Sequence, residues 1–463
     1  MNSHHLIKTL AMAALLMPLQ SMSAQTDSSK INKLSIGLNF LTHGEVRGGG
    51  LPKAETESAT MENSANFLLG RTRLTVAYQR QRVTDEASGL KIGLEARAVI
   101  QNNAIWGMKN NQSINLYEGW VKANTSVGIF AQVGRIALAY DDERIIGPND
   151  FATAAKSHDL LRLGYEGHNH KLHALLAYNQ NSSNVFGGSY YADGAQYYKT
   201  MQTLWYHYDV PRFPLGASLL FMNIGEQAGF TEDDRRSQAD PAHTEYQQMM
   251  GGYVNFHPEH LTLEGSYYRQ AGKEVNEDML SSKIKSWMAS VKATIKPSDK
   301  YGFVLGYDYL SGDDYMVVRE PGSMGLIQHE VLEGFRPVYG SRTKFYGIMD
   351  YFYRSVHLDG FTPGLQNTFG GMFGNPLRNL DCEVVYHYMA TATNLRSLDK
   401  TLGHAIELKA SYRFTKDINL TAGFTQMIGT DTMDRLKQGN GDQHVSWGWF
   451  SLVINPNLFT SKW

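Results

Sequence analysis

The chain has a single cysteine, Cys382, among 463 residues. A lone thiol excludes an intramolecular disulfide framework and a multi-cysteine metal site, and the sequence around Cys382 makes it a small hydrophobe on an apolar strand face. After the first 24 residues no stretch stays apolar for the roughly 18 residues that a membrane-spanning helix needs. Charge of one sign is missing too. There are 43 Lys and Arg against 45 Asp and Glu, and Lys8 is the only charge in the first 24 residues, so the remainder carries 42 against 45, a balance of −3. A nucleic-acid partner calls for a basic excess, which this chain lacks. It contains no Gly-x-Ser-x-Gly, His-Glu-x-x-His or phosphate-loop motif, and no Ser, His and third polar group fall together on a lipid-side strand face. An enzyme is not expected.

What is present begins with a leader. Lys8 precedes the apolar run Leu10-Ala11-Met12-Ala13-Ala14-Leu15-Leu16-Met17, and small and polar residues follow through Ala24. This is the order of a secretory signal, expected over 1–24 with cleavage after Ala24. Residues 25–463 then hold 44 Gly and most of 26 Tyr, 20 Phe and 7 Trp within the whole chain. Residues 404–428 show how the aromatics are used. His404, Ile406, Leu408, Ala410, Tyr412 and Phe414 alternate with Ala405, Glu407, Lys409, Ser411 and Arg413, and the pattern resumes after Thr415-Lys416-Asp417. A strict period of two is the pleat of a β-strand. Aromatic-rich alternation repeated along a secreted chain predicts an all-β transmembrane antiparallel barrel.

Alternation and turn residues mark 33–47, 66–80, 90–101, 113–123, 127–135, 159–166, 170–178, 196–208, 214–223, 245–256, 259–270, 284–296, 301–311, 344–354, 363–374, 379–390, 404–415, 417–428 and 445–455. That is nineteen, whereas single-chain bacterial barrels close with an even number. Short links at 81–89, 124–126, 167–169, 209–213, 257–258 and 297–300 alternate with long ones, and short turns belong on the periplasmic side. Counting inward from both ends leaves 344–354 without a place in the wall. Eighteen strands are therefore expected, with one long external connection, 312–361. Its aromatic content (Phe345, Tyr346, Tyr351, Tyr353) suggests that it folds inward and narrows a pore; an ordinary external hairpin is the alternative. The terminal Phe459-Thr460-Ser461-Lys462-Trp463 supplies an aromatic end suited to the barrel-assembly machinery. Because it follows Asn455-Pro456, it is not expected to extend the last strand.

Eighteen strands leave an aqueous interior, and a charged side chain at the lipid mid-plane costs about 2–4 kcal/mol. Hydrophobicity therefore assigns the faces. Leu90, Ile92, Leu94, Ala96, Ala98 and Ile100 face lipid, leaving Lys91, Glu95 and Arg97 inside. Trp287, Ala289, Val291, Ala293 and Ile295 face lipid, with Lys292 inside. Leu74, Val76 and Tyr78 turn Arg71 and Arg73 inward, and Leu161, Leu163 and Tyr165 do the same for Arg162. Glu407, Lys409 and Arg413 also line the interior. The apolar last strand has no orientation by this test. Arg71, Arg73, Arg97, Arg135 and Arg162 cluster in the first third. Guanidinium forks bind carboxylates, so the cluster suits an acidic solute; it also suits wall-stiffening pairs with Glu95, Glu118 and Glu407.

Two blocks carry a resemblance. Gly134-Arg135-Ile136-Ala137-Leu138-Ala139-Tyr140-Asp141-Asp142-Glu143-Arg144-Ile145-Ile146-Gly147 with Ser157–Leu163 is one. Gly306-Tyr307-Asp308-Tyr309-Leu310-Ser311-Gly312-Asp313-Asp314, with Lys344–Asp350 downstream, is the other. Here the chain resembles the alginate-export outer-membrane family, including porin-like members of Bacteroidetes type. The resemblance implies an eighteen-stranded barrel with an arginine-lined constriction for an acidic polysaccharide. By position it implies a constriction set of Arg71, Arg73, Arg97, Arg135, Arg144, Arg162 and Asp350; Lys344, in the long connection expected to fold inward, is a further lining candidate.

The resulting expectation is a passive outer-membrane channel for hydrophilic, acidic solutes such as uronate sugars or oligosaccharides. Its surroundings would be outer-membrane lipid and lipopolysaccharide. The alternative is a non-conducting barrel serving as an adhesion or assembly scaffold. No cofactor is expected; Asp141, Asp142, Glu143, Asp313 and Asp314 are weak calcium candidates through their oxygens. His168, His170 and His173 straddle a tight turn and are not read as a metal site.

Overall fold

Period-two alternation becomes a wall whose two faces differ in chemistry. The computed structural model describes residues 31–49, 65–87, 89–107, 112–151, 155–181, 186, 188–190, 198–230, 234–276, 279–313, 331–349, 351–352, 362–395, 398–437, 441 and 443–463. The expected leader 1–24, Asp314 and Asp350 lie outside these residues.

The strands are β1 (Asn32–Gly49), β2 (Ala65–Thr84), β3 (Lys91–Ile105), β4 (Gln112–Thr125), β5 (Ile129–Ile136), β6 (His158–Gly167), β7 (His170–Tyr178), β8 (Thr200–Asp209), β9 (Leu215–Ala228) and β10 (His243–Phe256). Then follow β11 (Leu261–Val275), β12 (Ser281–Ser298), β13 (Tyr301–Leu310), β14 (Val331–Leu332), β15 (Leu365–Leu377), β16 (Leu380–Ala390), β17 (Thr401–Arg413), β18 (Ile418–Gly429), β19 (His444–Ile454) and β20 (Asn457–Lys462). Each wall strand pairs antiparallel with the next. β13 meets β15 directly, with Leu305 opposite Gly370, and β19 closes the ring onto β1, with Phe40 opposite Ile454. The wall is a closed barrel of eighteen strands, β1–β13 and β15–β19. Closure leaves no edge in the wall, as burial of a sheet in hydrocarbon demands. The described residues of 344–354 contribute no wall strand, only the end of a 3-10 turn at Arg342–Lys344.

The chain end departs from expectation. β20 does continue the last strand: it pairs antiparallel with the first part of β1, from Lys33 opposite Lys462 to Gly37 opposite Asn457. Proline has no N–H to give the ladder, and the break between β19 and β20 falls at Asn455-Pro456, yet the register on β1 runs through it from Phe40 opposite Ile454 to Gly37 opposite Asn457 and shifts only beyond, between Ile36 and Gly37. The Pro456 carbonyl still accepts from the Leu38 amide at 3.1 Å. Proline interrupts the strand without ending it.

The outward face is apolar and exposed, as at Leu74, Val76, Ile100, Val121, Trp287, Val291, Ile406, Leu408, Tyr412 and Phe414. Inward positions toward the long-loop end are covered by loops within the barrel, as at Arg71, Gln270 and Asp308, and many of those nearer the short-turn end are half-buried or exposed. β19, which composition could not orient, turns Val445, Trp447, Trp449 and Ser451 inward and Phe450 outward.

Candidate pore lining and constriction

In the loop joining β5 and β6, residues 141–151 cross the interior. At one end Asp150 sits between two guanidiniums of β2. Arg71 Nη1 donates to its Oδ1 at 2.9 Å and to its backbone carbonyl at 3.0 Å, while Arg73 Nη2 lies 2.6 Å from the same Oδ1. Arg71 is fully buried. Arg73 also lies 3.8 Å over the Tyr117 ring and donates from Nε to Gln101 at 2.6 Å. The neighbouring Phe151 packs edge-on against Trp449, with ring centroids 5.0 Å apart, and against His43 of β1.

At the other end Arg144 reaches the inward face of β12 and β13. It contacts Asp308 Oδ1 at 3.0 Å, donates to Ser290 Oγ at 2.9 Å, and pairs within its own loop with Asp142 at 3.1 Å. Its Nη1 also donates to the Tyr346 hydroxyl at 2.9 Å, and Phe345 lies under it at 4.2 Å. Burial alone would lower this guanidinium's pKa. Tyr346, Asp308 and Asp142 outweigh burial and hold it above its ordinary value, so the group stays charged. Between the anchors Asp141 accepts from the Trp205 indole at 3.1 Å. Burial raises its carboxyl's pKa, and Asp142 beside it acts in the same sense.

The described part of the long connection, 331–349 with 351–352, packs on this crossing loop. The Tyr339 amide donates to the Ile145 carbonyl at 3.1 Å, Gly147 returns a bond to the Tyr339 carbonyl at 3.0 Å, and Ser341 N reaches Glu143 O at 2.9 Å. Lys344 pairs with Glu143 at 2.6 Å. Arg336 is held from β11, its amide donating to Gln270 Oε1 at 3.1 Å and its carbonyl accepting from Gln270 Nε2 at 2.9 Å. The Ile348 amide donates to Glu407 of β17 at 2.7 Å. Phe335, Tyr346 and Phe352 are buried where these loops meet. The segment reaching from β2 to β12 and β13 thus belongs to the loop joining β5 and β6, which the spacing of the sequence marked only as one long loop among several.

The expected lining residues divide by position. Arg71, Arg73, Arg144, Lys344 and Glu407 all lie in the loop-filled zone, the first two at one end of the crossing loop and Arg144 and Lys344 at the other. Arg97 pairs with Glu118 at 2.8 Å, and Arg162 lies 5.3 Å from the Phe130 ring, both facing inward beside it. Glu95, bound by Asn124 at 2.9 Å, Lys292, paired with Glu264 at 2.5 Å, and Lys409, paired with Glu383, lie nearer the short-turn end. Lys91 and Arg413 are exposed at that rim, Arg413 4.0 Å from Asp381.

Arg135 is a correction. Ile129 and Val133 of β5 are exposed on the outer face while Phe130, Gln132 and Ile136 are buried inside. Alternation therefore turns Arg135 outward, where it forks Asp159 at 2.8 and 2.6 Å. Of the calcium candidates within the described residues, Glu143 is engaged by Ser341 at 2.7 Å, and Asp313 by the amides of Glu333, Gly334 and Thr362 at 2.6–2.9 Å. No group of three metal-ligating side chains occurs among the described residues.

Several participants escaped the sequence reading. Asp150 lies in Gly147-Pro148-Asn149-Asp150, which reads as a solvated turn. Asp308 alternates on β13 at an inward position and was legible by the same rule that found Lys292. Trp447 and Trp449 were hidden because both faces of β19 are apolar.

An eighteen-stranded antiparallel barrel with loops folded into its interior is the architecture of outer-membrane porins. The chain is similar in structure to Acinetobacter baumannii OccAB1 (TM-score 0.60, 13% identity, covering 92% of this chain and 97% of that one). It is also similar to Pseudomonas aeruginosa OccK9 (OpdG), with a TM-score of 0.59, 11% identity and coverage of 92% and 98%. Pseudomonas aeruginosa OccD3 (OpdP) matches with a TM-score of 0.56, 12% identity and 92% of each chain. No family model and no curated protein matches the sequence.

Proposed function

We propose that this protein is a passive channel of the bacterial outer membrane for small hydrophilic solutes, with acidic ones such as uronate sugars or oligosaccharides preferred. The observation that carries the reading is the Asp150 site. Two arginines of one strand hold one loop carboxylate, with Arg97 and Arg162 facing inward beside them. Paired guanidiniums take carboxylates in a geometry that a point charge cannot, and a series of such groups suits a solute that binds weakly enough to leave. The resemblance to the alginate-export family supports an acidic saccharide; the structural likeness to Occ channels supports a channel without naming its solute.

Reversal potentials in planar bilayers under a salt gradient test both parts. Conductance with anion preference is expected, and Arg97→Ala together with Arg162→Ala should reduce that preference several-fold. Cation preference in the unmodified protein overturns the acidic-solute reading. Absence of conductance overturns the channel and favours the scaffold, a reading to which the buried interior loops lend some support.

A further inference from the structure

Outside the lumen, one sector of the wall carries charge where the aromatic face ends. On β11 and β12 the outward face bears Leu263, Tyr267, Trp287 and Val291, all exposed. Trp287 stacks on Tyr309 of β13 with centroids 4.7 Å apart and lies 6.1 Å from Tyr267. Aromatic rings of this kind sit at the boundary between hydrocarbon and headgroups. Register places Arg269 opposite Trp287, Lys285 opposite Ala271 and Lys283 opposite Lys273. Lys285 and Lys283 thus continue the same outward face from Trp287 toward the long-loop end. On β8, β9 and β10 the outward face turns polar beside them, where Asn223 donates to Gln202 at 2.7 Å and Gln248 to Asn223 at 2.8 Å. Gln248 shares its register line with Ala271 and Lys285.

Arg269, Lys283 and Lys285 are all exposed. Lys273 beside them is neutralised by Glu245 at 2.6 Å, whereas these three have no carboxylate within ion-pairing distance among the described residues. Like charges on neighbouring strand positions repel, and rigid strands keep these from separating. No carboxylate among the described residues offsets these charges, and an anion from outside the protein can do so.

We propose that Arg269, Lys283 and Lys285 form a binding site for the anionic, phosphate-bearing lipid headgroup of the external leaflet. The inference rests on the reading of the barrel as an outer-membrane protein with its long loops outside, and is independent of the solute. The aromatic ring fixes the depth, and the cations meet phosphate oxygens where chain and headgroup join.

The test uses the full protein in phosphatidylcholine nanodiscs doped with bisphosphorylated lipid A, and quantifies lipid A retained after a wash. Each cation near an anionic surface is worth about fivefold in partitioning, so Arg269→Gln/Lys283→Gln/Lys285→Gln should retain the lipid about a hundredfold more weakly at low salt. The difference should shrink as ionic strength rises. Unchanged conductance of the triple variant establishes that its barrel is intact. Equal retention by the two proteins overturns the inference while leaving the channel reading untouched. Full displacement of lipid A by millimolar inorganic phosphate also overturns it, because the site would then hold a free anion. A protein that never enters the bilayer overturns the membrane reading instead.

Discussion

Asp150 concentrates the energetics of the crossing loop in one side chain. Removing one partner of a buried ion pair leaves an uncompensated charge, at a cost of about 3–5 kcal/mol. Asp150→Ala strands two adjacent guanidiniums, one of them fully buried. The loop end is expected to leave β2, with a rise in single-channel conductance and a shift toward anions. Unchanged traces would mean that Asp150 does not anchor the loop. Asp141 makes a second prediction. Burial raises its folded-state pKa above the usual 3.8, so its stabilising contribution is fully present below the unfolded value of about 3.9 and is lost as pH rises through the raised native value. Thermal melts of Asp141→Asn should therefore decline less than wild type as pH rises above about 4; parallel curves would remove Asp141 as the source. At this scale the sequence was legible wherever the lipid-side neighbours were apolar enough to fix parity, as for Arg71, Arg97 and Lys292. It misplaced Arg135 because the outer face of β5 ends at Val133. Beyond the hydrocarbon, an outward arginine paired to Asp159 carries no penalty.

Among the elements, the joint of β19 and β20 shows how a local rule bends to closure. A proline within a strand forbids one ladder bond and no more. The first residues of β1 would otherwise present unpaired amides and carbonyls along one edge, a cost that the seven residues after Pro456 remove. Deleting 457–463 leaves Lys33–Gly37 unpaired along one edge. The truncated chain should lose the fast, compact migration of an unheated folded barrel on a gel; retained mobility would show that β19 alone suffices. Elements were otherwise the best-read level, because period two, turn residues and parity each constrain the wall independently. The 344–354 segment illustrates this. Its local alternation resembles a strand, but the ring has no vacancy for it, and β13 pairs with β15 without it.

For the molecule as a whole, the wall was legible and the contents of the lumen were not. Wall contacts follow from neighbours in sequence order, each strand against the next. The interior depends on meetings that no local pattern encodes. Arg71 and Asp150 are 79 residues apart, and Arg144 and Tyr346 are 202 apart. Which loop crosses is decided by anchor chemistry at both ends rather than by length, and the described part of the 312–361 connection packs onto the crossing loop.

The crossing loop also has a mechanical consequence. A ring of eighteen hydrogen-bonded strands is stiff along each strand and soft to ovalisation, since flattening the circle only hinges neighbouring strands. Residues 144–150 run as a spoke from β12 and β13 to β2, fastened by ion pairs at both walls. The same side chains that would meet a passing solute therefore hold the cross-section round against lateral pressure from the bilayer.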